Sequence, residues 1–202
     1  MEHERDWSVM ASSPSLSHEP MVRRIVRRAE RLPESLWAFA ADWYDREADW
    51  LESVGSAFGF DRTQSVYAFA ALSPRMQYKA NRSQLVKLMA GQDIGGLENS
   101  RKAATAALLH TKLPSGRKTG RFALNLAGDR EPVTVDVWIC RSVGLAKDAP
   151  SLSEYSRIER AFQAAAKRLG CSPRTLQAAI WFGIRGATPS DPIAYSPDEP
   201  TR

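Results

Sequence analysis

The segment TQSVYAFAALS, residues 63–73, constrains the fold more than any other stretch of this chain. Its apolar residues occupy nearly every face of a helix, so a helix formed here must be covered on all sides. Pro74 follows at once, and the residue before a proline disfavours the helical conformation, so the helix ends there. The sequence therefore predicts a buried helix at the centre of a larger domain.

Helical spacing continues through most of the chain. Apolar residues recur at intervals of three and four across residues 33–59, which is typical of an amphipathic helix. Ser151 and Glu154 form a capping box for a helix that Gly170 ends, and Pro173 stands at the first position of a final helix. Eight or nine helices and almost no strand alternation predict an all-α protein.

The two ends of the chain differ in composition from its middle. Residues 1–19 are polar and rich in serine and proline, and residues 187–202 contain four prolines and three acids. We expect both to be flexible arms around a single domain at residues 20–186. The sequence contains no run of about 18 apolar residues and no secretory segment near Met1. We therefore expect a soluble, cytoplasmic monomer that does not interact with a membrane.

Positive charge is concentrated in one part of the chain. The net charge is +5, and ten lysines and arginines stand against two acids between Arg75 and Arg121. Such a local field is typical of a nucleic-acid partner. The two cysteines, Cys140 and Cys171, exclude a disulfide framework and a four-cysteine cluster, and the three histidines lie far apart. We predict neither a metal nor an organic cofactor.

The segment LPSGRKTGRFALNL, residues 113–126, contains a glycine turn that leads into a helix. The backbone N–H groups at such a helix start bind phosphate, because they lack partners and the helix dipole favours anions there. Lys118 lies at this start, either as a surface phosphate contact or as an amine nucleophile, and nearby cations favour the neutral form of such an amine. The DNA contacts expected in this segment are Ser115, Gly116, Arg117, Thr119 and Arg121.

Asp136 follows Lys118 by 18 positions and precedes the apolar run VWICRSVGL. As a helix cap its carboxylate would be held in a fixed place. Cleavage of a glycosidic bond passes through a cationic sugar, which a fixed carboxylate stabilises. Lys118 and Asp136 are therefore the candidate catalytic pair. In the alternative interpretation, Asp136 is only a cap and Lys118 is only a phosphate contact.

The sequence LSPRMQYKAN, residues 72–81, follows the break in the buried helix, and a further helix is predicted from about Met76 to Met89. An enzyme that extracts a base must fill the gap left in the stack, and Gln77 or Met76 is suited to this wedge role. In the alternative interpretation, Met76 and Tyr78 belong to the core and Gln77 is a solvated residue. The further DNA contacts expected are Arg75, Gln77 and Lys79, and the expected base-pocket residues are Ser73, Tyr78, Asn81, Trp138 and Gln177.

The chain from about residue 60 to 145 resembles the core of the helix-hairpin-helix DNA glycosylases, especially the endonuclease III type. The matching residues are Leu113, Pro114, Gly116, Lys118, Thr119, Val135, Asp136 and Arg141. The resemblance implies an all-α, two-lobed fold with a central cleft. This sequence departs from the endonuclease III type in lacking the four cysteines of its iron-sulfur cluster. The resemblance also implies an N-glycosylase, with or without AP lyase activity, that flips a damaged or modified nucleotide out of double-stranded DNA.

Two alternatives to excision remain open from the sequence. The block ALSPRMQYKAN, residues 71–81, is also similar to actinobacteriophage proteins that resemble enzymes of DNA base hypermodification. The hairpin LPSGRKT is one residue shorter than the usual glycosylase pattern, which favours this second hypothesis. Such an enzyme transfers a group onto a hydroxymethylpyrimidine and leaves the glycosidic bond intact. The third hypothesis is a non-catalytic DNA-binding module. We expect any of these at the nucleoid of a bacterial or phage-infected cell.

Overall fold

A computed structural model describes residues 18–147 and 149–186, and within them it contains nine α-helices and no strand. The all-α prediction is confirmed for this part of the chain. The helix α1 begins at His18, so the last two residues of the expected 1–19 arm are helical; the rest of that arm and residues 187–202 lie outside the described residues. The helices are α1 (His18–Ala29), α2 (Glu34–Ala57), α3 (Arg62–Leu72), α4 (Tyr78–Met89), α5 (Glu98–His110), α6 (Arg117–Leu126), α7 (Val137–Ser142), α8 (Leu152–Leu169) and α9 (Pro173–Arg185).

The ends of α8 and α9 follow the sequence signals. The Ser151 hydroxyl accepts from the Glu154 N–H, and the Glu154 carboxylate accepts from the Ser151 N–H, so the predicted capping box is confirmed. Gly170 ends α8 in the left-handed conformation with φ of 67°, which glycine adopts without strain. Ser172 caps α9 through its side chain, and Pro173 is the first helical residue. These boundaries are fixed by local chemistry.

The helix α3 lies at the centre of the molecule, as its composition predicts. A run of five residues in its second half is buried: Ala68, Phe69, Ala70, Ala71 and Leu72. The helices α2, α4, α5 and α6 all pack against it. A helix that is apolar on every face is stable here because other helices remove each face from water.

The buried apolar residues form two clusters. The first contains residues of α2, α3, α4, α5 and α6, with α3 at its centre. The second contains residues of α1, α7 and α8 and of the segment 133–135. The helix α9 belongs to both, because Ala178 and Phe182 pack in the first cluster while Leu176 and Ile180 pack in the second. A cleft at the junction of the clusters is therefore bordered by elements of both.

The β-branched run at residues 133–135 is neither helix nor strand in the described part of the chain. The Tyr155 hydroxyl pairs with its backbone groups: it accepts from the Val135 N–H at 3.1 Å and donates to the Val133 carbonyl at 2.9 Å. Both backbone groups are buried and would be costly to leave unpaired. The Tyr155 side chain of α8 thus fixes the segment that leads to Asp136.

Candidate functional site

A pocket of about 160 Å³ lies at the junction of the two apolar clusters. For comparison, an apolar cavity of about 150 Å³ holds a benzene ring. Aromatic rings of α2, α3, α6 and α9 line it, so the pocket suits a planar, largely apolar ligand. The rings are those of Trp43, Tyr44, Phe69, Phe122, Trp181 and Phe182.

Lys118 and Asp136 both line this pocket. Lys118 is the second residue of α6, and Asp136 is the residue that caps α7. The structure also brings four of the five expected base-pocket residues to the same pocket: Ser73, Tyr78, Asn81 and Gln177. The sequence-derived set thus converges on one place in the fold.

The Asp136 carboxylate is held by three donors. Its Oδ1 accepts from the N–H groups of Trp138 and Ile139, each at 2.9 Å, so the predicted helix cap is confirmed. Its Oδ2 accepts from the Trp181 indole Nε1 at 2.7 Å. Asp136 is therefore both a cap and a fixed negative group in the pocket wall. Sequence reasoning did not identify Trp181, which lies 45 positions further along the chain.

The cations of α6 point in two different directions. Residues four apart share a helix face, and Lys118 and Phe122 both line the pocket. The other face turns toward α8, where Arg117 donates to the Leu152 carbonyl at 2.9 Å and Arg121 pairs with Glu159 at 2.8 Å. These two expected DNA contacts are thus bound to α8. Within the described residues, Lys118 forms no ion pair.

The turn before α6 leaves helix N–H groups available for an anion. Gly116 is the N-terminal cap of α6 and, having no side chain, leaves the first N–H groups of the helix uncapped within the described chain. Ser115 and Gly116 are both exposed. Thr119 donates its hydroxyl to the Gly116 carbonyl at 3.0 Å. A Cβ added at Gly120 would lie 2.9 Å from the Pro114 carbonyl oxygen, so a glycine is needed for the turn to pack this closely.

The connection between α3 and α4 separates the expected wedge residues. Arg75 is exposed and adopts the left-handed conformation with φ of 56°, which delays the start of α4 from the predicted Met76 to Tyr78. Met76 lines the pocket and Gln77 is the N-terminal cap of α4. Lys79 is exposed on the first turn of α4. Of the two candidate wedges, Met76 is the one in contact with the pocket.

A buried polar network lies beneath the aromatic wall. Tyr44 donates its hydroxyl to the Gln177 Oε1 at 2.7 Å, and Asn125 donates from Nδ2 to the Thr134 hydroxyl at 3.2 Å. Burial raises the pKa of Tyr44 to about 12, so its phenol stays a neutral donor. Gln177, expected in the base pocket, accepts with its side-chain oxygen from this buried phenol and also lines the pocket.

Glu47 is a buried carboxylate that sequence reasoning missed. It accepts from the Tyr78 hydroxyl and from the Arg82 guanidinium, which in turn lies 4.0 Å from the Trp50 ring centroid. Burial and then the negative charge of Glu47 raise the pKa of Tyr78. This cluster holds the Tyr78 ring against the pocket. The signal in the sequence was a carboxylate on the helix face that also carries Trp43 and Trp50.

Trp138, expected in the base pocket, is not among the residues that line it. Its ring lies 4.7 Å from the Arg141 guanidinium and 4.9 Å from that of Arg185. The Trp138 ring thus packs against two guanidinium groups, and this cation–π packing takes the place of a contact with the pocket. Trp181 occupies the place expected for Trp138.

Other kinds of site find little support within residues 18–147 and 149–186. No group of three His, Cys, Asp or Glu side chains there could hold a metal ion. No helix there is long and apolar enough to cross a membrane. Burial raises the pKa of the Cys140 thiol to about 11, so this side chain is not a reactive thiolate at neutral pH.

Comparison with known proteins gives one match. The model of a protein family described as "Family of unknown function (DUF7178)" matches residues 8–188. No curated protein and no solved structure matches the chain. The function must therefore be inferred from the pocket and its residues.

Proposed function

The chain belongs to the DUF7178 family of unknown function, and we propose that it is an N-glycosylase acting on double-stranded DNA. The pocket between the two apolar clusters receives a damaged or modified nucleotide that has been flipped out of the duplex. The two clusters correspond, in this proposal, to the two lobes of a helix-hairpin-helix glycosylase-like fold. No metal or organic cofactor takes part.

The single observation that carries the proposal is that Lys118 and Asp136 line one aromatic pocket. A flipped base is bound by stacking between aromatic side chains, and the pocket offers such rings. The sugar next to the base gains positive charge as the glycosidic bond breaks. Asp136, fixed by three hydrogen bonds, stabilises that charge without having to reorganise.

Lys118 has a different task in the same reaction. Its unprotonated amine attacks C1′ of the sugar, the bond from C1′ to the base breaks, and the base leaves with the bonding electron pair and takes up a proton. When the C1′–O4′ bond breaks and O4′ takes up a proton, the new C1′–N bond becomes a Schiff base. Removal of a C2′ proton then forms a C2′–C3′ double bond and expels the 3′-phosphate, which cleaves the strand. In a version of the reaction without this step, water attacks C1′, and the Lys118 ammonium contacts the phosphate or the leaving base.

Double-stranded DNA as the partner is supported by the surface next to the pocket. The helices α4 and α6 both begin there without a side-chain cap within the described chain. Helix N-termini of this kind bind phosphate oxygens. Arg75, Lys79 and Lys112 are exposed cations close in sequence to these two helix starts. Their charges act on the DNA backbone and are independent of the base.

The test uses duplexes that each carry one damaged or modified pyrimidine. We expect release of a free base from at least one duplex and a borohydride-trapped covalent adduct with the wild-type protein. Lys118→Met abolishes the adduct, whereas Lys167→Met, which removes an exposed lysine in the last turn of α8, leaves it intact. Absence of any free base, abasic site and adduct across a broad panel would overturn the proposal.

A second candidate, transfer of a group onto a hydroxymethylpyrimidine in DNA, is favoured by the shortened turn at residues 113–119. It uses the same pocket and keeps the glycosidic bond intact. Mass spectrometry of nucleosides from treated DNA separates the two reactions, because transfer yields a heavier nucleoside and excision yields an abasic site. A non-catalytic DNA-binding module predicts neither product. In that case Lys118→Ala only weakens binding and lowers the salt slope by about one.

A further inference from the structure

The Asn81 side chain has a fixed orientation at the pocket. It is 3% exposed, lines the pocket and donates from Nδ2 to the Phe69 carbonyl at 3.1 Å. Phe69 lies in the last four residues of α3, where carbonyls lack a partner within the helix. Because a carbonyl oxygen only accepts hydrogen bonds, the amide nitrogen must face it. The Asn81 oxygen, Oδ1, is therefore the atom turned away from α3.

Asn81 Oδ1 has no hydrogen-bond partner within the described part of the chain, although it is buried. Most buried polar atoms are paired, because an unpaired acceptor loses its hydrogen bonds to water without replacement. Capping of α3 explains the amide nitrogen and leaves the oxygen unexplained. An unpaired acceptor at the wall of an aromatic pocket indicates that a ligand supplies the missing donor.

We propose that Asn81 Oδ1 accepts a hydrogen bond from an N–H group of a pyrimidine ring bound in the pocket. This inference rests on the proposed function and names its substrate class. The pocket volume of about 160 Å³ matches a six-membered ring, for which about 150 Å³ suffices. The donor is either the imide N3–H of a uracil or thymine ring or the exocyclic amine of a cytosine ring. Asn81 thereby discriminates against pyrimidines whose donor is alkylated.

The polar groups near Asn81 agree with this assignment. Gln177 Oε1 already accepts from the Tyr44 hydroxyl, so the protein itself supplies a donor to this oxygen. Asp136 Oδ2 already accepts from Trp181. Among these polar groups, Asn81 Oδ1 is the acceptor with no donor of its own in the described chain.

The experiment compares DNA duplexes in matched pairs. One pair carries deoxyuridine or N3-methyldeoxyuridine, and the other carries deoxycytidine or N4,N4-dimethyldeoxycytidine. Each nucleotide stands opposite a tetrahydrofuran abasic analogue, so that neither member of a pair is base-paired and both flip at similar cost. Affinity is measured by titration at one fixed salt concentration.

We expect the wild-type protein to bind the N–H member of one pair at least about tenfold more tightly than its methylated partner, since a buried acceptor would otherwise stay unpaired. The pair that shows the preference identifies the donor. Equal binding within both pairs, including the case of no binding at all, overturns the proposal. This comparison does not depend on any variant being folded.

Asn81→Leu tests whether the preference belongs to this residue. We expect the ratio within the pair to fall to about one, with thermal melting followed separately because the Phe69 carbonyl also loses its donor. A ratio that persists in a folded Asn81→Leu protein overturns the assignment. Failure of this inference differs from failure of the proposed function: equal binding within the pairs leaves excision intact, whereas a preserved preference without any reaction removes excision alone.

Discussion

At the scale of a residue, Asp136 performs two tasks with one side chain. Its position before an apolar run made the cap predictable, because capping is a local contact between a side chain and the N–H groups two and three residues further along the chain. Its hydrogen bond from Trp181 joins residues 45 positions apart, and no local pattern specifies such a contact. The sequence therefore predicted the role of Asp136 in α7 but not the residue that fixes its second oxygen.

Replacing Asp136 with asparagine separates charge from capping. Asparagine is as good an N-terminal cap as aspartate, but its amide nitrogen replaces the oxygen that accepts from Trp181, so we expect the free energy of unfolding to fall by about 1 to 3 kcal/mol. The rate of base release should fall by about a hundredfold or more, because the sugar cation loses a fixed negative charge. Single-turnover kinetics and thermal melting measure the two effects. Asp93→Asn, at an exposed position, is the matched control; a variant with wild-type rates would exclude a catalytic role for Asp136.

Tyr44 makes stability depend on alkaline pH. The folded protein keeps the phenol proton to a pH of about 12, since burial raises its pKa to that value, whereas the unfolded chain releases it near pH 10. The folded state binds more protons between these values, so the free energy of unfolding falls as pH rises through them, by about 3 kcal/mol from this group. We expect a smaller fall in Tyr44→Phe, measured by denaturant unfolding at pH 9 and above.

The control for this prediction is Tyr67→Phe, which removes a phenol outside the network formed by Tyr44 and Gln177. It should keep the wild-type pH dependence. If Tyr44→Phe loses as much stability between pH 10 and 12 as the wild type, the raised pKa of Tyr44 is not responsible. At neutral pH the free energy of unfolding of Tyr44→Phe should be about 1 to 2 kcal/mol lower than that of the wild type, because the Gln177 oxygen loses its donor.

At the scale of an element, the helices were predictable and their exact facing was not. Caps, glycines and prolines gave the ends of α8 and α9, since these signals act within one turn. The start of α4 was predicted two residues early. Arg75 adopts a left-handed backbone conformation that usually signals a glycine, and an arginine at this position gives no such signal. The sequence also left undecided which cations of α6 face outward. Arg121 forms an ion pair with Glu159, which lies 38 positions further along the chain.

Gly120→Ala tests whether the close contact between α6 and the turn before it positions Lys118. The new Cβ would lie 2.9 Å from the Pro114 carbonyl oxygen, and a backbone atom cannot move aside cheaply. Alanine favours a helix by about 1 kcal/mol over glycine, and overpacking costs about 1 to 3 kcal/mol. We therefore expect a net loss of stability of about 1 kcal/mol, together with slower adduct formation. Thermal melting and borohydride trapping measure them.

Gly95→Ala is the matched control, because a Cβ at Gly95 meets nothing closer than 4.0 Å. Its stability should lie within about 0.5 kcal/mol of the wild type. A Gly120→Ala protein that is more stable than the wild type and traps DNA at the same rate would show that the turn tolerates the added methyl group and does not control Lys118.

At the scale of the whole molecule, the pocket exists because two apolar clusters meet across α9. Arg174, buried at the start of α9, donates to the Asn125 carbonyl at 2.9 Å and pairs with Asp45 at 3.0 Å, so it joins α9 to α6 and α2. Contacts over 49 and 129 positions leave no trace in a local pattern. The all-α class and seven of the sixteen pocket-lining residues were predictable from periodicity and motifs, whereas the partly buried ion pairs that support the pocket were not.

In the proposed reaction, Asp136 faces a sugar that becomes cationic in the pocket. The affinity for a duplex in which one nucleotide is replaced by a pyrrolidine analogue with a positive charge at the C1′ position tests this role. A neutral tetrahydrofuran duplex is the reference. Because an enzyme binds a mimic of its transition state more tightly than a neutral analogue, we predict that the wild-type protein prefers the cationic duplex by about a hundredfold or more. Asp136→Asn should lose this preference and Asp93→Asn should keep it, whereas equal affinity of the wild-type protein for both duplexes would contradict the account.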